Sequence, residues 1–385
     1  MWNEKSNRVM VPKMNVKIAD IIKVMEGFAP SRLAEEWDNV GLQIGQKEWP
    51  VRNIWVALDP LPEVVGAACE NNVDLLITHH PLIFQPLKSI DINTPVGSAI
   101  QTAIRNQLSI FVAHTNLDSV KDGVNDLLAA RIGLKNLKVL GRAFEPESCK
   151  LVVYVPVEYE KKVLDALFET EAGKIGSYTC CSFRNEGKGT FRPGISAKPV
   201  YGKIGEISHT NEVRIETIVY RDNLQSVIEQ LRESHPYETM AYDVYPLSMS
   251  ENGQGLGRIG ELDNDTELYS LALMVKKKLG IESVKVSGRY ELPVNKVAIC
   301  SGSGSGLIRD FLSSAAQVYI SGDLRYHDAR AVEAANLGLI DIGHFASEHL
   351  IVEGLAKRLL EIFSENGIDV KVEACGLEKD PFMIL

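Results

Sequence analysis

From residue 53 onward, short apolar runs alternate with stretches whose apolar positions recur at helical spacing. NIWVALD (53–59) leads to a helix predicted near 61–72, VDLLITHH (73–80) to one near 94–107, and LSIFVAH (108–114) to GVNDLLAARIG (123–133). Such alternation predicts crossover units on a largely parallel sheet. The pattern resumes after about 265. ELYSLALMVKKKLG (267–280) reads as a helix, followed by strands KVAICSG (296–302), VYISGD (318–323) and IDIGHF (340–345) with helices between. A long final helix over about 347–367 repeats its apolar face through Leu350, Ile351, Leu355, Leu359 and Phe363.

The middle of the chain reads differently. Strand KLVVYVP (150–156), helix EYEKKVLDALFETEAG (158–173), strands around SYTCCSF (177–183) and GTFRPG (189–194), strand EVRIETIVY (212–220), helix NLQSVIEQLRES (223–234) and strand MAYDVYPL (240–247) form a doubled βαβ with hairpin material, the ferredoxin-like pattern. It is bracketed by a polar approach, EPES (145–148), and by SMSENGQGLGRIG (248–260), whose glycine density suits a linker. The expected fold class is therefore α/β: a discontinuous core of mixed, largely parallel sheets flanked by helices, interrupted by an α+β domain. The expected boundaries are 1–147 for the first half of the core, with about 1–15 a polar leader, 148–250 for the insert and 251–385 for the second half. The two halves must then meet in space.

Composition narrows the functional classes. The chain has 385 residues, 45% of them hydrophobic, enough for two or three domains with buried cores. Its 41 basic and 51 acidic residues give a formal charge of −10, which offers no general attraction to nucleic-acid backbones or anionic lipid. No apolar run is long enough to span a membrane, and the opening MWNEKSNRVMVPKM lacks the apolar core of a signal peptide. A cytoplasmic protein is expected, and Met14 could start a shorter form. The six cysteines form no CxxC pair, and Cys180 and Cys181 would face opposite sides of a strand, so reduced and mostly buried thiols are expected.

The chemistry concentrates at strand ends. His79 and His80 sit where LLIT gives way to Pro81, and adjacent residues there diverge, which suits two neighbouring ions better than one. FVAHTNLD adds His114 and Asp118. DIGHFASEH adds His344, with Ser347 as the expected N-cap of the long helix and Glu348 in its first turn. Ligands bind beyond the carboxyl ends of strands in open α/β sheets. Histidine with carboxylate favours zinc, manganese, iron or nickel over calcium or magnesium, and five ligands exceed what one catalytic zinc takes. Two divalent ions per chain sharing a carboxylate are expected, zinc first. His114 and His327 are candidates for proton transfer, with structural hydrogen bonding as the alternative. SGSGSG (301–306) could cradle a phosphate, but lacks the ending of a P-loop and is better read as a tight strand-to-helix turn.

WDNVGL (37–42), THHP (78–81), HTNLD (114–118), SGSGSG, SGD (321–323) and GHFASE (343–348) together resemble the signature set of the Nif-three-like family, the GTP cyclohydrolase type two homologues. The resemblance implies a dinuclear metal centre and a ring-shaped homohexamer. It implies His80 and Asp118 on one ion, His79 and His344 on the other, and Glu348 bridging. The insert resembles the PII/CutA-like domain of longer bacterial members through HPYETMAYDVYPL (235–247), where His235 and Glu238 either bind a metal or small ligand or form a turn packed between strands. Two functions follow as expectations. One is a metal-dependent hydrolase of a nucleotide-like or phosphorylated small molecule, with opening of the GTP imidazole ring and loss of formate as the activity the resemblance implies. The other is a non-enzymatic metal-binding or regulatory assembly with a ligand-sensing insert. Nucleic-acid processing is disfavoured by the acidic balance.

Overall fold

The structure is a computed structural model that describes residues 16–141, 148–176, 178–247 and 254–384. The expected leader with Met14, most of the EPES approach and the first part of the glycine-rich linker lie outside the described residues. The chain forms two compact units, Met1–Phe144 with Gly253–Leu385, and Glu145–Asn252.

The first unit holds two sheets. One has the order Gly41–Ile44, Ser109–Val112, Leu75–Thr78, Asn53–Ala57, Lys371–Ala374, parallel throughout except for the antiparallel edge strand Gly41–Ile44. LLIT and SIFV are buried along their whole length because both sheet faces are covered, which is why they carry no polar alternation. Leu75 and Ile77 pack with Ile21, Met25, Leu355, Leu359 and Phe363 on one face, whereas Leu76 packs with Val64, Ala99 and Ile100 on the other. Each such fully buried side chain contributes roughly 1.5–3 kcal/mol relative to exposure. The C-terminal strand Lys371–Ala374 pairs with Asn53–Ala57, so the two sequence halves share one sheet.

The second sheet runs Lys285–Ser287, Gly338–Asp341, Val318–Gly322, Pro293–Ser303, Gly257–Glu267, Lys135–Leu140. Only its three central strands are mutually parallel. Three of its strands, Lys285–Ser287, Lys135–Leu140 and Gly257–Glu267, are not legible in the sequence. Lys135–Leu140 is a mostly exposed edge, and Gly257–Glu267 begins inside the segment expected to be a linker. Those glycines serve close packing rather than flexibility: a Cβ on Gly257 would crowd Leu307, Leu140 and the Ile299 carbonyl, and one on Gly260 would crowd Leu137 and Leu134. Arg258 between them is buried and donates to the carbonyls of Gly257 and Val120 and to Asp126.

The final helix also departs from expectation. A short helix His344–Glu348 precedes the long one, Leu350–Glu365, so Ser347 is not an N-cap. Gly343 enters the short helix at φ +81°, a left-handed backbone that only glycine takes without strain. Leu350 turns away from the face predicted for it and packs against the second sheet's core.

The second unit has the order strand Ser148–Pro156, helix Glu160–Phe168, strands Ser182–Phe191 and Ser208–Tyr220, helix Arg221–Ser234, strand Tyr242–Leu247. Its sheet is wholly antiparallel, in the spatial order Ser182–Phe191, Ser208–Tyr220, Ser148–Pro156, Tyr242–Leu247. The two strands expected around SYTCCSF and GTFRPG are one continuous strand, Ser182–Phe191. Cys180, at φ +59°, lies in the bend before it, so the strand argument for Cys180 and Cys181 does not hold. All six cysteines are free, but only Cys149, Cys300 and Cys375 are buried. Among the described residues no helix is long and apolar enough to cross a membrane.

Candidate metal centre

Within the first unit, the carboxyl ends of Leu75–Thr78 and Ser109–Val112 in one sheet and of Gly338–Asp341 in the other bring their following residues together. The group consists of His79, His80, His114, Asp118, His344 and Glu348. Three sets of ligand atoms in it, His79–His80–His114, His80–His344–Glu348 and His79–Asp118–Glu348, each lie within 4.8 Å of one another.

Glu348 is the hub. Its Oε2 lies 2.9 Å from Nε2 of both His80 and His344, and its Oε1 lies 3.7 Å from Nε2 of His79. The adjacent histidines thus diverge onto the two oxygens of one carboxylate. Asp118 Oδ1 lies 3.7 Å from His79 Nε2 and accepts from the Ser301 hydroxyl at 3.0 Å. The sets that come together therefore pair His79 with Asp118 and His80 with His344, not the pairing implied by the resemblance.

Each histidine is oriented from its other nitrogen. His79 Nδ1–H donates to the Ala113 carbonyl (3.0 Å), His80 Nδ1 faces Asp59 (2.8 Å), His344 Nδ1 faces Asp323 (2.7 Å) and His114 Nδ1 faces Asp38 (2.9 Å). This fixes Nδ1 as the proton carrier and turns Nε2 toward the centre, the arrangement found behind metal-ligating histidines. Asp59, Asp323 and Asp38 were not assigned roles from sequence, although each sits in a quoted segment. The available signal is position: Asp323 follows directly on a strand end and Asp59 stands two residues beyond one.

The charges are interdependent. Burial pushes Glu348 upward, but the three surrounding histidines outweigh it and hold its carboxyl well below the usual range. Burial pushes His80 down, but Asp59 and Glu348 outweigh it and raise the ring to about 10. Glu348 raises His344 to about 9 against the effect of burial. Asp118 is pushed up, first by burial, with the Glu348 charge adding to it. Burial alone would raise Asp38, yet His114 and Thr115 hold it at about 2.

Two observations show that the residues fit a metal ion. His79 Nε2 is buried without a hydrogen-bond partner and faces two carboxylate oxygens, each 3.7 Å away and too distant to bond it. Gly302, at φ +59°, leaves room for Glu348: a Cβ there would fall on Oε1. The SGSGSG segment thus acts as a tight turn that shapes the centre, with Gly302 N–H donating to Ser347 Oγ at 2.8 Å and Asn125 accepting from Ser301 N–H at 2.7 Å. Its following helix, Ile308–Leu312, is a single short stretch. His327 is not brought into the group. It is exposed at the start of helix Tyr326–Ala334, with its ring against Tyr326. In the insert, His235 is buried, donates from Nε2 to the Tyr154 carbonyl and accepts from Tyr237 N–H at Nδ1; Glu238 accepts from Lys198 N–H. These bonds fit the turn reading of HPY.

Beside the centre stand two exposed rings. Trp37 is 57% exposed and meets His114 edge-on at 6.0 Å and Phe84, itself 48% exposed, at 5.8 Å.

Comparison with known proteins places the chain in a family. A Bacillus subtilis protein called "GTP cyclohydrolase 1 type 2 homolog" is 40% identical over 365 residues, 95% of this chain and 98% of that one. One of the same description from Halalkalibacterium halodurans is 37% identical over 96% of this chain and 100% of its own length. The crystal structure of a Bacillus cereus protein related to NIF3 superposes with a TM-score of 0.82 at 38% identity, covering 96% of this chain and 100% of that one. A Staphylococcus aureus structure gives 0.82 at 31% identity, covering 96% and 99%. The family described as Duf34/NIF3 (NGG1p interacting factor 3) matches residues 16–381, and the chain belongs to that family.

Proposed function

We propose that this chain binds two divalent metal ions and is a hydrolase of a nucleotide-like or phosphorylated small molecule. The observation that carries the reading is Glu348, whose two oxygens face three histidines, His79 on one and His80 and His344 on the other, while Asp118 completes the group. His79, His80, Asp118, His344 and Glu348 would hold the ions, zinc first, with iron, manganese or nickel as alternatives. Bound there, such ions supply Lewis acidity and lower the pKa of water.

The protein's own residues do the rest. Asp59 and Asp323 fix the ligating rings. His114, oriented by Asp38, keeps Nε2 available to take or return a proton, and its ring lies 5.1 Å from His79 and 5.6 Å from His80. Trp37 and Phe84 offer exposed faces on which a nucleobase could stack, which supports a nucleotide over an aliphatic phosphate. The names of the relatives point the same way, toward GTP.

The reading extends to the assembly. The insert, 148–250, is proposed to be a ferredoxin-like domain of the PII/CutA-like type, supported by its βαββαβ order and antiparallel four-stranded sheet. Residues 1–147 and 251–385 are proposed as the two halves of the metal-binding core. A homohexamer is proposed on family resemblance. The second reading, a metal-binding regulatory protein with a sensing insert, draws on the cavity described below.

The test is turnover. Protein loaded with zinc, manganese or iron is assayed against GTP and a panel of phosphoesters, beside His80→Ala and Glu348→Gln. Metal-dependent turnover lost in both variants supports the hydrolase. Absence of any such turnover in metal-loaded protein contradicts it and favours the regulatory reading.

A further inference from the structure

The second unit contains a cavity of about 280 Å³ whose lining comes entirely from that unit. Its walls come from the end of strand Ser182–Phe191, from the chain between 193 and 201 and from residues between 237 and 241. The aromatic rings of Phe191 and Tyr201 are disposed about Tyr237, at centroid distances of 6.2 and 6.3 Å and interplanar angles of 53° and 81°. Tyr154 adds a fourth ring to the wall, its hydroxyl turned to Asp243 at 2.9 Å. Ring faces are regions of negative potential.

The ionic groups on the cavity are two carboxylates and one ammonium. Glu212 and Glu238 both line it. Tyr237 Oη–H donates to Glu212 at 2.8 Å, which holds that carboxylate in place. Gly189 lies against Glu212 so closely that a Cβ would fall on its carboxylate, so the backbone is shaped to seat that group. The one cation on the wall, Lys198, has an exposed side chain, and it is its backbone N–H that holds Glu238. An anion would meet two carboxylates and the ring faces. A neutral apolar ligand would desolvate the carboxylates without compensating their charge. An organic cation satisfies both the rings and the carboxylates.

We propose that this cavity is a binding site for a small organic cation bearing an alkylated ammonium group. Its volume lies just below the roughly 300–1,000 Å³ range of ligand pockets, which suits a choline-sized head group better than a nucleotide. The site lies outside the metal group and does not rest on the hydrolase reading. Occupancy would tie the 193–201 segment to Tyr237 and Glu238, giving the insert a bound state distinct from its free one.

The experiment is a pair of titrations of the full chain, by calorimetry or ligand-observed NMR. One uses choline and the other its uncharged isostere, 3,3-dimethylbutan-1-ol. Choline is expected to bind about tenfold more tightly or better, a difference that reads the charge because the shapes match. Glu212→Gln and Phe191→Leu are expected to weaken choline by several-fold, Tyr237→Phe to keep most of it, and Glu348→Gln to leave it unchanged. Equal affinity for the two probes, or no choline binding at millimolar concentration in the unaltered protein, overturns the proposal. Choline binding that survives Phe191→Leu and Glu212→Gln undiminished places it elsewhere and also overturns the proposal.

Discussion

The Nε2 atoms of His80 and His344 stand 3.4 Å apart although the two residues follow strands of different sheets, and Glu348 lies 2.9 Å from both. Two rings with protonated Nδ1 atoms approach this closely only because a carboxylate lies beside them and an aspartate stands behind each. Asp59→Asn and Asp323→Asn should therefore loosen metal ions without removing a ligand. The expected loss is about 10–100-fold in affinity per substitution, read by competition with a chromophoric chelator. Unchanged affinity in both would mean that the rings are oriented by packing alone.

Gly302→Ala tests the cradle around Glu348. The added methyl would occupy the position of Oε1, and the left-handed backbone adds strain of its own. A loss of about 1–3 kcal/mol in the stability of metal-free protein is expected from the backbone, with a drop in metal content as Glu348 is displaced. Ser305→Ala, at the end of the same turn, should leave metal content intact. Equal metal content in Gly302→Ala and the unaltered chain would show that Glu348 tolerates displacement.

Much of this centre is legible in sequence because its ligands are histidines and acids at strand ends, where a β run, a proline or a turn marks where side chains leave the sheet. The parallel strands LLIT and SIFV announce themselves by continuous burial. What escapes is whatever depends on partners distant in sequence. Asp59 acquires its role only when His80 turns toward it, and Gly257 reads as a linker residue until Leu140 and Leu307 close on it. His327 has the same local signal as His114, yet one ring lies inside the group and the other faces solvent. Ser347 has the residue type of an N-cap, but Gly343 starts the helix earlier and frees the hydroxyl to accept from Gly302.

Trp37 gives a direct reading of nucleobase stacking. Its exposed indole should be quenched by guanosine nucleotides in metal-loaded protein, and Trp37→Phe should lose most of that signal while still binding. Trp37→Ala should weaken binding by roughly 1–3 kcal/mol, or about 5- to 150-fold. Identical affinity in Trp37→Ala would remove the ring from the substrate site.

His235 makes stability depend on pH. Burial holds its folded pKa below the ordinary value, against the opposing effects of the Tyr154 carbonyl and Glu212. The sign follows from which state binds the proton more readily. Above about pH 6.5 the ring is neutral in both states, and its contribution is fully present. As pH falls through that value the unfolded chain takes up the proton first, and stability is lost. Denaturation of the full chain between about pH 7 and 5 should therefore show a shallower decline in His235→Gln than in the unaltered protein. Parallel declines would mean that His235 titrates normally in the fold.

The central claim is that five side chains hold two ions through one shared carboxylate. Metal content per chain, measured by mass spectrometry on protein saturated with zinc and freed of excess, tests it most directly. Two ions per chain are expected in the unaltered protein, about one in Asp118→Ala and in His344→Ala, and close to none in Glu348→Ala, all with unchanged secondary structure. One ion or none in the unaltered protein, or two retained in Glu348→Ala, would contradict it.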